Sequence, residues 1–180
     1  AKNNNNFDFE VCISDNCSKP NIKELIDKYS SSLDIIFNEN SSNLGLGVNI
    51  LKAVSLAKGE FVWILGNDDL LLPNTFFYLE KLFKENEIVD FFYINSFHLD
   101  SSLVLTGQQP FNTNNLPNKM KKFSNYPKSF QSNFFDLVSH NVSFDFMLGM
   151  FLVIFRKKIW DENLFRINKN DIENKKIYST

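Results

Sequence analysis

Two adjacent carboxylates, Asp68 and Asp69, follow an uncharged apolar run and the pair Gly66-Asn67. The run emerges from a small polar turn, Ala57-Lys58-Gly59. An apolar run of this length between turn residues predicts a buried strand, here over residues 60–65. In open α/β sheets, ligands bind outside the carboxyl ends of the strands. Two acids are therefore expected where such a sheet meets its ligand. Paired carboxylates suit a hard divalent cation, which takes one or two of them and fills its remaining positions with phosphate oxygens and water. The bland reading of the same residues is an exposed turn at a strand end.

The elements that must position this pair follow from the periodicity. Residues 9–14 read as a first strand, with Asp15-Asn16 at its end. Residues 21–29 read as a helix: Ile22, Leu25, Ile26 and Tyr29 form one apolar stripe, and Asn21 and Glu24 have capping-box spacing. Residues 33–38 read as a second strand, and a polar loop with Asn43-Leu44-Gly45 follows it. Residues 48–57 read as an apolar helix closed by Lys58-Gly59. After the acidic turn, Pro73 introduces a helix to about Glu85, with Phe76, Leu79 and Phe83 on one face. Residues 88–94 read as a further strand. This alternation predicts an α/β fold with a mainly parallel, Rossmann-like central sheet flanked by helices.

Residues 100–128 are polar and read as a long loop or lid. Residues 130–138 read as a helix, and residues 144–156 as an apolar return to the core. The organisation expected is one domain over residues 7–165, incomplete at its N-terminus, and a polar tail over residues 166–180. The 180 residues suffice for a real core, and 20 of them are Phe. A formal charge of -2 argues against a nucleic-acid surface, which needs a basic face. Cys12 and Cys17 lack C-x-x-C spacing and read as reduced thiols of a cytoplasmic protein. The longest apolar run, residues 146–155, is too short to span a bilayer. His98 and His140 have no partner pattern. Arg156-Lys157-Lys158 reads as a solvated face, with contact to phosphate or anionic lipid as the alternative. Trp63 reads as core, and Trp160 as core or an acceptor-stacking ring.

Three features then fall in order: Ile13-Ser14-Asp15-Asn16-Cys17-Ser18 at a strand end, Asn43-Leu44-Gly45 before a helix, and Ala57-Lys58-Gly59-Glu60-Phe61 leading to Gly66-Asn67-Asp68-Asp69. Together they resemble the nucleotide-sugar-binding half of a family 2 glycosyltransferase with the GT-A fold. The resemblance covers residues 9–84 best. It implies inverting transfer of a sugar from a nucleotide-diphosphate donor, a UDP-sugar, to a surface-glycan or lipid-linked acceptor, with Mg²⁺ or Mn²⁺ as cofactor. It implies a cytoplasmic protein with peripheral contact to the inner membrane face. It assigns the metal to Asp69 and Asp68, and the donor to Asp15, Asn43, Gly45, Asn67 and Asp68. Gly66 and Asn67 depart from the family, which often has acids there. The family's opening strand and its "P-T-Y-N"-like loop have no counterpart before Phe9.

The resemblance also requires a base for the acceptor hydroxyl. Asp161 and Glu162 are the first candidates, then Asp171 and Glu173, with Asp145 behind them and a residue after Thr180 as the alternative. Asp161-Glu162 equally reads as a solvated surface pair. Two rival functions stay open at this point: a non-catalytic nucleotide-sugar-binding remnant, and a sugar nucleotidyltransferase. The second normally carries an early Gly-rich basic loop, which is not visible here.

Overall fold

A computed structural model describes residues 8–98, 120–123, 128–131, 133 and 149–164. The chain divides into two compact units, Ala1–Val62 with Phe155–Thr180, and Trp63–Ile154.

The first unit opens with strand β1 (Val11–Asp15), helix α1 (Lys23–Ser30) and strand β2 (Ile35–Glu39). β1 and β2 pair in parallel, from Val11 opposite Ile35 to Asp15 opposite Glu39. A parallel pair cannot be joined by a tight turn, and α1 supplies the crossover. The expected cap of α1 is corrected. Asn21 Oδ1 accepts the Lys23 N–H at 2.7 Å, and the N-cap is Ile22, without a side-chain cap bond. Asn21 closes a local turn over its own backbone instead of a capping box with Glu24. Of the expected stripe, Ile22 and Ile26 are half-buried, while Leu25 and Tyr29 are exposed.

Helix α2 (Leu46–Leu56) starts two residues before its apolar period suggests. Its N-cap is Gly45, at φ 81° and ψ 162°, a conformation that delivers the chain directly into the first turn. α2 packs on β1 and buries Val54. Past its end, the Lys58 and Gly59 N–H groups both donate to Glu10 Oε1, at 2.5 and 2.8 Å. A Cβ added at Gly45 would meet nothing within 4 Å, so a substitution there is opposed by backbone strain alone. Gly45→Ala is expected to lose about 1–3 kcal/mol in equilibrium urea unfolding.

Strand β3 (Phe61–Trp63) is shorter than the run that predicts it. In the second unit follow α3 (Thr75–Glu85), β4 (Phe91–Tyr93), β5 (Phe97–His98) and β6 (Lys121–Lys122). A 3-10 turn (Met150–Leu152) leads into β7 (Val153–Arg156), and helix α4 (Lys157–Leu164) closes the described chain. α3 buries Leu79, with Phe76 and Phe83 half-buried on the same face, and Phe83 packs on Phe92 at 5.3 Å. Leu152, Ile154 and Phe92 are also buried. Trp63 is half-buried rather than fully enclosed, and it donates its Nε1–H to the Phe151 carbonyl at 2.7 Å.

The strands form three hydrogen-bonded sets among the described residues: β1-β2, β3-β7-β4, and the antiparallel pair β5-β6. The mainly parallel central sheet of the sequence reading is thus seen only in part. β3 and β4 have three residues each, enough for few ladder bonds. Of the polar stretch 100–128, residues 120–123 and 128 are described, and they supply β6 and Phe123, whose ring stacks on His98 at 3.7 Å. The helix expected over 130–138 lies outside the described residues except for 130, 131 and 133, and the tail 166–180 lies wholly outside them.

Candidate functional site

Asp15 ends β1 and is only 5% exposed. The chain then turns sharply, with Cys17 at φ 66°, and the Ser18 N–H returns to the Asp15 carboxylate at 3.3 Å from both oxygens. Each oxygen keeps acceptor capacity for a further donor. Asn43 and Gly45, the other donor candidates of this unit, lie in the loop before α2. Asn43 Oδ1 accepts the Gly45 N–H at 2.9 Å, which tightens that loop.

The acidic turn belongs to the second unit. Gly66 and Asp69 clasp each other: the Gly66 N–H donates to Asp69 Oδ2 at 2.6 Å, and the Asp69 N–H donates to the Gly66 carbonyl at 3.3 Å. A Cβ at Gly66 would stand 2.7 Å from Asp68 Oδ1 and 3.2 Å from Asp69 Oδ2. Gly66 is therefore a cradle over which both carboxylates fold. A side chain at residue 66 would make the exposed Asp68 carboxylate turn aside from this position. Burial pushes the Asp69 carboxyl above its ordinary range. The Gly66 N–H opposes this, and the Asp68 charge adds to it. A cation would relieve both the burial cost and the like-charge repulsion. Two carboxylates on one turn fit a divalent ion, and Asn67, exposed between Gly66 and Asp68, offers a neutral oxygen. Among the described residues no group of three or more His, Cys, Asp or Glu side chains is gathered for a metal ion. The two acids would have to act with oxygens brought by a ligand.

Asp161 and Glu162 lie on α4, in the first unit. Asp161 accepts from Lys157 Nζ at 2.6 and 2.8 Å through its two oxygens. Glu162 stands 3.8 Å from Lys158 Nζ. Both line a shallow groove of about 480 Å³ with Gly59, Glu60, Arg156, Lys157 and Lys158. Arg156 is fixed there by an ion pair to Glu60 and by stacking over the Phe61 ring at 4.5 Å. Trp160 stacks on Phe155 at 5.2 Å. Asp145, Asp171 and Glu173 lie outside the described residues.

The sequence profile of glycosyl transferase family 2 matches residues 1–154 of the 180. The chain belongs to this family. This family 2 chain is 44% identical over 72 residues to abequosyltransferase RfbV of Salmonella typhimurium, which covers 39% of the chain and 22% of that protein. It is 38% identical over 78 residues to the uncharacterized glycosyltransferase MJ1057 of Methanocaldococcus jannaschii, covering 43% of the chain and 26% of that protein. It is 31% identical over 86 residues to the uncharacterized glycosyltransferase MG025 homolog of Mycoplasma pneumoniae, covering 47% of the chain and 29% of that protein. The matched regions thus make up between a fifth and a third of these curated relatives. No solved structure matches the chain significantly.

In this family 2 chain the structure reveals a group of residues that motif reading passes over. Asn49 on α2 donates to the Ser14 carbonyl at 2.9 Å and accepts from Ser14 Oγ at 2.8 Å. Asn40, 3% exposed, donates to Asn49 Oδ1 at 2.9 Å and accepts from Asn38 Nδ2 at 3.0 Å and Lys52 Nζ at 2.8 Å. Its backbone N–H donates to the Asp15 carbonyl at 2.9 Å. These amides tie the ends of β1 and β2 to α2. The available signal was Asn49 itself, a polar amide among Leu46, Val48, Ile50 and Leu51 in the apolar first half of the helix.

Proposed function

We propose that this chain is the donor-binding part of an inverting GT-A-type glycosyltransferase. It moves a sugar from a UDP-sugar to a surface-glycan or lipid-linked acceptor, at the inner face of the cytoplasmic membrane. The domain is taken to run over residues 7–165. The observation that carries the reading is the Gly66 cradle, whose two carboxylates suit a divalent cation and a diphosphate. Asp15 then accepts from the base of the nucleotide, and the backbone of Asn43-Leu44-Gly45 approaches the nucleotide closely. Asp69 and Asp68 hold Mg²⁺ or Mn²⁺, and Asn67 and Asp68 reach the donor. The bound ion supplies Lewis-acid stabilisation of the diphosphate leaving group.

The base on this reading is Asp161 or Glu162, and Glu162 is the better placed of the two. Asp161 is held by Lys157 through both oxygens, whereas Glu162 is only loosely paired. Glu162→Gln is expected to lower turnover by about 100-fold or more with donor affinity unchanged, and Asp161→Asn by much less. Steady-state kinetics of both variants check the ranking.

The reading is tested by offering the chain UDP-, GDP-, CDP- and dTDP-sugars and measuring release of the nucleoside diphosphate. The expected result is release from a UDP-sugar that Mg²⁺ or Mn²⁺ stimulates and a chelator stops. Binding of a UDP-sugar with no release, with acceptor extracts present, would favour a binding remnant.

A further inference from the structure

The amide of Asn16 is occupied by the protein's own groups. Its Oδ1 accepts the Leu44 N–H at 2.9 Å and Asn40 Nδ2 at 3.4 Å. Its Nδ2 donates to Asn43 Oδ1 at 2.8 Å. Asn16 directly follows Asp15, and its partners lie in the loop that leads into α2 or at the end of β2. Asn43 passes the constraint on to the Gly45 N–H, and the Gly45 carbonyl accepts the Asn49 N–H at 3.2 Å in the first turn of α2. Behind this chain of bonds Asn40 is buried and held by Asn38, Asn49 and Lys52. The loop is thus held by the protein's own groups, and holding a binding loop in one conformation lowers the entropic cost of binding.

The side chain must be an amide to do this. A carboxylate could accept from Leu44 but could not donate to Asn43, and an aliphatic side chain could do neither. We infer that Asn16 is a positioning residue: it locks Asn43-Leu44-Gly45 onto the strand end that carries Asp15 and so sets the backbone that meets the nucleotide. The inference rests on the donor-site reading of Asp15 and that loop.

The test uses the full chain, its Asn16→Ala and Asn16→Asp variants, and two readouts. The first is hydrogen exchange of the Leu44 amide, and the second is calorimetric affinity for UDP with Mn²⁺. In Asn16→Ala the Leu44 amide is expected to exchange about 10-fold faster and UDP to bind about 10-fold more weakly, the loss of roughly one part-buried hydrogen bond. Asn16→Asp keeps the acceptor for Leu44 and is expected to hold its protection within about 3-fold of the parent, with intermediate affinity. A merely structural role would lower the thermal midpoint of both variants and leave the UDP affinity of the folded protein unmoved, which overturns the inference. Unchanged Leu44 exchange in Asn16→Ala, with UDP still bound by the parent, overturns it without touching the donor site. A parent that binds no UDP while Leu44 exchange responds as expected overturns the donor-site reading, and the positioning role falls with it.

Discussion

Asn in place of Asp69 is expected to lower metal-stimulated sugar transfer by about 100-fold or more while leaving the fold intact. The two halves of this result have separate causes. An asparagine oxygen can still accept the Gly66 N–H, so the clasp between residues 66 and 69 survives. The negative charge that would hold a cation does not. Stability should stay equal or rise. The Asp69 carboxyl is pushed up chiefly by burial, with the Asp68 charge adding to it, so the folded chain holds this proton more tightly than the unfolded chain. Its contribution to stability is fully present below the unfolded value and lost as pH rises through the folded one. At neutral pH Asp69 is therefore a cost that the neutral amide avoids. Metal affinity runs the other way, because the ion needs the carboxylate. It should fall on acidification from a pH above the ordinary carboxylate range. Kinetics against metal concentration, thermal unfolding and metal titration at several pH values read these effects independently.

The largest expected effect on stability comes from Leu152. It is 0% exposed and folds back over Gly149, where an added Cβ would stand 2.7 Å from Leu152 Cδ1. Its carbonyl accepts the Ile94 N–H at 2.7 Å, so backbone and side chain both fix it beside β4. Leu152→Ala should cost about 2–5 kcal/mol, because the tight surroundings leave little room to collapse into the void. For a chain of this size that is a drop of roughly 5–15 °C in Tm. Ile154→Val, at a neighbouring buried position, should cost only about 0.5–1.5 kcal/mol. Urea titration distinguishes a true core loss, which lowers the midpoint and keeps the slope, from a change in the unfolded state.

Element types were readable because each depends on local pattern. The stripe of Phe76, Leu79 and Phe83 places α3, and the apolar runs place β1 to β4. Ends were less readable because they depend on single conformations: Gly45 at positive φ starts α2 early, and Asn21 turns on its own backbone. Asp68 and Asp69 stand out by residue type at the end of a predicted strand, whereas Asp15, Asn43, Gly45 and Asn67 enter as candidates only through the resemblance to the family. The role of Gly66 does not, since a glycine in a turn looks the same whether it is flexible or crowded. Only the 2.7 Å approach of Asp68 Oδ1 reveals it as crowded. The amides of Asn16, Asn40 and Asn49 reach partners up to 35 positions away, as Asn49 does with Ser14, and no local pattern announces such a pairing.

Family membership is secure on the matched residues; what the acidic turn does is the claim to test. Calorimetric titration of UDP into the full chain, with Mn²⁺ and again with excess chelator, addresses it most directly. The expected result is binding that weakens at least about 10-fold on chelation, consistent with loss of a charge-assisted contact to the diphosphate, and equally in Asp69→Asn. Affinity for UDP that is the same with and without the metal, or unchanged in Asp69→Asn, would contradict the assignment of Asp68 and Asp69 to a metal–diphosphate site.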